Sequence, residues 1–298
     1  MSFRVDNEWG ELKQVIVGHG RNMHAPTSAE DAFDPTSFLH LDSGTYPVMD
    51  EVVLQLDGLA EVLANFGVEV LRPHDVPDLE QVFARDVGFV VEDQFFRSAM
   101  IENREAEWLG VSPLIPEASV RSMPQHIRAE GGDVLLLDDA IAVGVTVQAD
   151  QLHLQTARTH ADAVDFLQSV FPHREVMGLE LHKHDRDPMR CALHLDCAFM
   201  PLGHGEAIVC REAFLNGRQR DDLLSRFKGT VDITLQEAAL LQSNLLHLTP
   251  DTLLIDPRYQ RLSQVLREMG YELIEVPMHH VGKMGGLFRC ATLPLLRH

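Results

Sequence analysis

Hydrophobic positions along the chain recur with two alternating periods, and their alternation predicts the elements. Leu12 to Val17 (LKQVIV) is a short β-type run closed by Gly18-His19-Gly20. Val52, Leu56, Leu59, Leu63 and Phe66 follow at steps of four and three, so they share one face of a helix that stops at Gly67. Val68 to Leu71 returns to a strand. Between the first two lies a stretch from Asn22 to Tyr46, rich in Pro, Ser, Thr, Asp and His and without a period. It reads as a long loop of the kind that serves as a lid or binding segment.

The same alternation returns down the chain. Gly88 to Val91 with Phe95 to Met100, and Val134 to Leu137 with Ala140 to Val145, predict two hairpins. Thr159 to Phe171 predicts a helix with Ala163, Val164, Leu167 and Val170 inward. Leu193 to Met200 pairs naturally with Ala207 to Cys210, Arg220 to Phe227 is helical, and Leu253 to Ile255 is a strand. A last helix carries Leu262, Val265, Leu266 and Met269 up to Gly270, before a strand at Glu272 to Val276. About five strand-hairpin-helix units follow one another with no linker or break in composition. That predicts one α/β domain over residues 1–298 with internal pseudo-symmetry.

Composition narrows the function classes. With 45% hydrophobic residues in 298, a substantial core is available. No apolar run approaches the ~18 residues of a membrane span, and Met1-Ser2-Phe3-Arg4-Val5-Asp6 lacks a signal peptide's apolar core. A soluble, cytoplasmic protein is expected. Cys191, Cys197, Cys210 and Cys290 show no CxxC spacing and read as reduced thiols, not as a disulfide framework or structural zinc site. The formal charge of −20 disfavours nucleic acid and anionic membrane as partners and would draw in a small cation. Whether the chain forms a homo-oligomer is left open.

Four motifs carry candidate chemistry: Arg85-Asp86 before an apolar strand, the turn Glu130-Gly131-Gly132-Asp133, His194-Leu195-Asp196, and Gly285-Gly286-Leu287-Phe288-Arg289-Cys290. In an extended segment His194 and Asp196 would point to one face. Taken singly, each motif has an ordinary explanation: a surface ion pair, a hairpin turn, a core histidine, a buried thiol. Together they supply a thiol nucleophile, an acid/base, a carboxylate to orient it and further carboxylates to hold a cation. Attack on a planar, charged guanidinium carbon requires that set. A metallohydrolase built on His182, His184 and Asp185, or on His279-His280, lacks an accompanying HExxH or second ligand cluster.

In this order the motifs resemble the guanidino-group-modifying (pentein) superfamily, which includes arginine deiminases, dimethylarginine dimethylaminohydrolases and amidinotransferases. The resemblance runs from Asn7-Glu8-Trp9 and Val15-Ile16-Val17-Gly18 to Cys290-Ala291-Thr292-Leu293-Pro294. It implies a five-bladed pseudo-symmetric α/β propeller with the site on its axis and no metal or organic cofactor. It also implies Cys290 as nucleophile, His194 as acid/base, Glu130 as the carboxylate orienting it, and Asp86 and Asp196 as the grip on the guanidinium. The activity implied is hydrolysis of an arginine-type guanidino compound through an amidino-thioether on Cys290. Amidino transfer to an amine is the alternative, and a non-catalytic guanidino-binding scaffold the alternative of another class. Two positions depart from the pattern. Gln148 falls where deiminase-like members carry an arginine for the substrate carboxylate, leaving Arg104 and Arg289 as candidates for that role. Arg289 also replaces the histidine that several members place before the nucleophile.

Overall fold

The protein is described by a computed structural model that covers residues 3–23, 26–124 and 126–298. Its strands are β1 (Leu12–Val17), β2 (Glu69–Leu71), β3 (Gly88–Val91), β4 (Gln94–Arg97), β5 (Val120–Ser122), β6 (Val134–Leu136), β7 (Ala140–Val145) and β8 (Glu175–Glu180). They continue with β9 (Phe199–Pro201), β10 (Glu206–Val209), β11 (Gly229–Asp232), β12 (Leu246–Thr249), β13 (Thr252–Ile255), β14 (Glu272–Glu275) and β15 (Thr292–Arg297). Among the described residues these make five sheets of three strands, the blades of an α/β propeller.

One topology repeats. In each sheet the middle strand has an antiparallel neighbour and a parallel one, as in β6-β7-β8. The antiparallel partner needs only a tight turn, whereas the parallel one needs a crossover long enough to hold a helix. Middle strands are covered on both sides, which is why β7 (AIAVGV) and β13 (TLLI) read as unbroken apolar runs and are buried throughout. The first blade is built from both ends of the chain. Here β1 pairs in parallel with β2 and antiparallel with β15, from Leu12 opposite Arg297 to Val17 opposite Thr292. This closure brings the segment before β15, with Cys290, beside β1, where the Gly18 amide donates to the Ala291 carbonyl at 2.9 Å.

The helix Met49–Asn65 buries Val52, Leu56, Leu59 and Leu63 completely, as their spacing predicts. Phe66 does not share that face: it lies past the last turn and is 51% exposed, with Gly67 following at φ +80°. The helix Asp162–Val170 buries Ala163 and Leu167, while Val164 and Val170 are half-buried against the core. No helix among the described residues is long and apolar enough to cross a membrane.

Two further sequence expectations fail locally. Residues 22–46 are not a plain loop: within the described part, a short 3-10 turn (Ala29–Asp31) precedes a helix at Pro35–Asp42, while His24 and Ala25 lie outside the described residues. That helix starts where Asp34 accepts hydrogen bonds from the Thr36 and Ser37 amides, both at 2.9 Å, with Pro35 at the first helical position. Residues 193–200 are not one strand either. After an extended His194 the chain makes a 3-10 turn over Leu195–Cys197, and pairing begins only at Phe199. The period-two argument for His194 and Asp196 therefore does not apply.

Candidate active site

The chemistry-bearing segments share one place in the fold. Ala84–Val87 leads into β3, Gly131–Asp133 into β6, Leu195–Cys197 into β9 and residues 287–291 into β15. Each is a short turn or single helical turn at the entry to the antiparallel edge strand of its blade, so the propeller's repetition brings distant residues to one axis. The fifth such segment, residues 241–244 ahead of β12, carries Asn244.

Cys290 is buried, at 2% exposure. Asn244 clamps it twice: the Cys290 amide donates to Asn244 Oδ1 and Asn244 Nδ2 donates to Cys290 Sγ, each at 3.1 Å. Asp196 lies beside the sulfur, with its oxygens 3.7 and 3.9 Å away. The thiol is held below the usual cysteine range, first by the neighbouring Cys197 thiol and then by His194, against the opposing effects of burial, Asp196 and Asp86.

His194 is fully buried, and its Nε2 sits 2.9 Å from Glu130 Oε2. Its Nδ1 faces Asp86 Oδ1 at 3.7 Å. Burial alone would lower its basicity, but Asp86, Asp133, Cys290 and Glu130 hold it well above the ordinary histidine value. An imidazolium is thus favoured, and it donates to Glu130. The Gly-Gly turn makes this contact reachable: a Cβ on Gly132 would lie 2.5 Å from His194 Nδ1. Glu130 is desolvated, yet Arg158, His194 and Arg104 keep it well below the usual carboxylate range.

The remaining predicted residues divide. Asp86 receives Arg104 Nη1 on Oδ2 at 2.7 Å, while its buried Oδ1 accepts no hydrogen bond from the protein. Arg104 also forks onto Glu107 at 2.6 and 2.9 Å and lines the pocket with Asp86, His194 and Cys290. Arg289 is different. Its guanidinium is spent on Glu8 (3.1 and 2.9 Å), Asp196 (2.9 Å) and the backbone carbonyls of Gly131, Gly132 and Val134. It is 0% exposed and does not line the pocket, so the expectation that it reaches a substrate carboxylate is corrected: it is a strut fixing Asp196. Gln148 is corrected as well. It is exposed, and the pocket arginine from that blade is Arg158, whose Nη1 donates to Glu130 at 2.9 Å and Nη2 to the Phe33 carbonyl at 2.6 Å. The turn at 148–155 displaces Thr156-Ala157-Arg158-Thr159 from the end of β7 and conceals the match.

Sequence reading also missed Asn244, Asp34, Tyr46 and Glu80. The last three wall the outer pocket, so the segment holding the Pro35–Asp42 helix covers the site. Asp34 packs against Gly285, at φ +87°, where a Cβ would lie 2.3 Å from Asp34 Oδ1. Burial, with Asp34 and Asp86 nearby, raises Glu80 to about 7.

Two groups among the described residues offer ligand atoms within 4.8 Å of one another: Asp86, Glu130 and His194, and Asp196, Cys197 and Cys290. Each carboxylate in them already pairs with an arginine: Asp86 with Arg104, Glu130 with Arg158 and Asp196 with Arg289. A metal ion would have to compete with those pairs. His182, His184 and Asp185 form no such group, nor do His279 and His280.

Residues 22–297 match the model of the family described as N,N dimethylarginine dimethylhydrolase, eukaryotic. The chain is 30% identical over 295 residues to the uncharacterized protein YkgA of Bacillus subtilis, covering 97% of this chain and 94% of that protein. It is 25% identical over 341 residues to inosamine-phosphate amidinotransferase 1 of Streptomyces griseus, covering 98% and 96%. The solved structure of that organism's inosamine-phosphate amidinotransferase is similar with a TM-score of 0.75 at 20% identity, covering 99% of this chain and 97% of that one. The N-terminal domain of ArgZ, an arginine dihydrolase from cyanobacteria, is similar with a TM-score of 0.79 at 18% identity, covering 96% and 98%. The five-bladed propeller and the match over residues 22–297 agree, and the chain belongs to the N,N dimethylarginine dimethylhydrolase family of the guanidino-group-modifying (pentein) superfamily of enzymes.

Proposed function

We propose that this enzyme hydrolyses a guanidino compound of the arginine or substituted-arginine type through a covalent intermediate on Cys290. The observation that carries the reading is one pocket in which a thiol of lowered pKa, an imidazolium held by Glu130 and the free oxygen of Asp86 converge. Asp86 Oδ1 accepts from the substrate guanidinium and holds the planar cation over Sγ. Asp196, expected to share that grip, is fully buried, paired with Arg289 and outside the pocket lining, and contributes only its charge beside the sulfur.

The Cys290 thiolate adds to the guanidinium carbon, and His194 gives its proton to the departing nitrogen, which leaves as an amine. The product of this half is an amidino-thioether. The now neutral His194 takes a proton from water as the oxygen adds to the carbon. Collapse then expels the thiolate and releases a ureido compound. Glu130 stabilises the imidazolium whenever it forms. Arg104 and Arg158 retain guanidinium hydrogens and reach the pocket, which suits a substrate carrying a carboxylate. A cytoplasmic setting, in which all four cysteines would stay reduced, suits a thiol-dependent reaction.

Amidino transfer is the second reading, favoured by the similarity to the amidinotransferases over 98% of this chain. The two differ only in what resolves the thioether. A panel of guanidino compounds, assayed with and without glycine, separates them. A ureido product independent of glycine supports the hydrolase, a new guanidino product that requires glycine supports transfer, and binding without any turnover supports a non-catalytic scaffold.

A further inference from the structure

Four of the five axis segments carry the residues given roles in the proposed reaction, and the segment before β12 carries none of those. Yet its Asn244 is fully buried and makes a polar contact to the sulfur, 3.1 Å from Nδ2 to Sγ. The contact has a fixed sense. Because the Cys290 amide hydrogen must point at the carboxamide oxygen, the NH2 group is the end turned toward the sulfur. The adjacent Ser243 hydroxyl donates to the Asp196 carbonyl at 2.9 Å, so one short segment braces both sides of the nucleophile.

Cys197 and His194 already favour the thiolate, and Asn244 adds a further donor at the sulfur. From the Leu195–Cys197 turn it faces the Asp196 carboxylate and the Cys197 thiol, and from the Ala84–Val87 turn the Asp86 carboxylate; His194 is the cation nearby. Arg289, next in sequence, has its charge committed to Glu8 and Asp196, and Glu130 is committed to His194 and Arg158. Two carboxylates and burial oppose a thiolate here. A neutral donor can offset them without adding a cation that would repel the substrate.

We propose that Asn244 acts with Cys197 and His194 to stabilise the Cys290 thiolate, using its backbone contact to aim its amide hydrogens at the sulfur. This rests on Cys290 being the nucleophile, as argued above. Attack on a guanidinium removes the sulfur's negative charge, so the donor acts on the thiolate population and not on the adduct.

The test is the pH dependence of Cys290 alkylation by iodoacetamide, followed by peptide mass mapping, in the parent enzyme and in Asn244→Ala and Asn244→Asp. Losing a hydrogen bond to a charged group corresponds to about a 10- to 100-fold change in thiolate population. Alkylation of Asn244→Ala should therefore slow by about that factor below both midpoints and recover to the parent rate above them. Asn244→Asp keeps the shape and adds repulsion, so its midpoint should rise further. Unmoved midpoints in folded variants, or a rate lowered equally at every pH, would overturn the proposal. If Asn244→Ala fails to fold, the isosteric Asn244→Asp decides alone. No substrate enters this assay, so failure of the hydrolase reading would show separately, as absent product in the panel of guanidino compounds, while the alkylation midpoints still shift.

Discussion

His194 Nε2 lies 2.9 Å from Glu130 Oε2, with both side chains fully buried, and that pair sets the protonation of the site. A carboxylate so placed keeps the imidazole charged before the reaction and receives its charge again after each proton transfer. It also fixes the ring so that the other nitrogen faces Asp86 and the pocket.

Glu130→Gln keeps the shape and removes the charge. The imidazolium is then less stabilised, its pKa falls, and the basic limb of the pH–rate profile moves to lower pH. Turnover should drop by about 10²- to 10⁴-fold, the usual contribution of positioned acid–base catalysis. A pH–kcat profile checks both; an unmoved basic limb would deny Glu130 this role.

Asp86→Asn bears on binding. Its free Oδ1 is the pocket atom placed to accept from a cation, and its charge also raises His194. KM should rise by at least about tenfold, given ~1.5–3 kcal/mol for a hydrogen bond to a charged group. Steady-state kinetics with the substrate identified from the panel would show it; an unchanged KM would place the guanidinium elsewhere.

Gly132→Ala would push a methyl to within 2.5 Å of His194 Nδ1. Because the clash is with a ring wedged against Glu130, turnover should fall by about 10²-fold through misplacement, even though the substitution is far from any surface. Activity near the parent level in a folded variant would mean that the turn has room to give.

Stability should also depend on pH through Glu8. Its burial would raise its pKa, but Arg289, Arg85 and Arg297 lower it to about 2 from 4.5. A depressed folded-state pKa means that this stabilisation is present above about 4.5 and is lost as pH falls toward 2. Glu8→Gln leaves Arg289 buried with an incomplete partner and should cost about 3–5 kcal/mol at neutral pH. It should also flatten the acid limb of the Tm–pH curve between those values. Thermal unfolding across pH measures both; the parent's acid limb surviving in the variant would count against the pair.

What could be read beforehand was what repeats or alternates. The Val52-Leu56-Leu59-Leu63 stripe, the β3-β4 and β6-β7 hairpins, and the helix Gln260–Glu268 follow from local periodicity. Phe66 was misassigned because a helix's spacing continues on paper past its final turn. The half-exposed strands β5, β8 and β11 were missed because neither face alternates cleanly, and β8 carries Gly178 in its middle. Cys290, His194, Glu130 and Asp86 were legible as ordered motifs. Arg158 was hidden by a displaced register, and Arg289 was misjudged because its partner Glu8 lies 281 residues away in sequence. Asn244 carried no local signal at all; only the repetition of blade-entry segments makes its position meaningful.

The most direct test of the account is acid-quenched mass spectrometry of the enzyme during turnover of its guanidino substrate. The account predicts added mass equal to the substrate less its departing amine on the peptide containing Cys290, and neither adduct nor product in Cys290→Ser, which should keep the parent Tm. Product formation by Cys290→Ser at the parent rate, with no adduct on the parent enzyme, would contradict it.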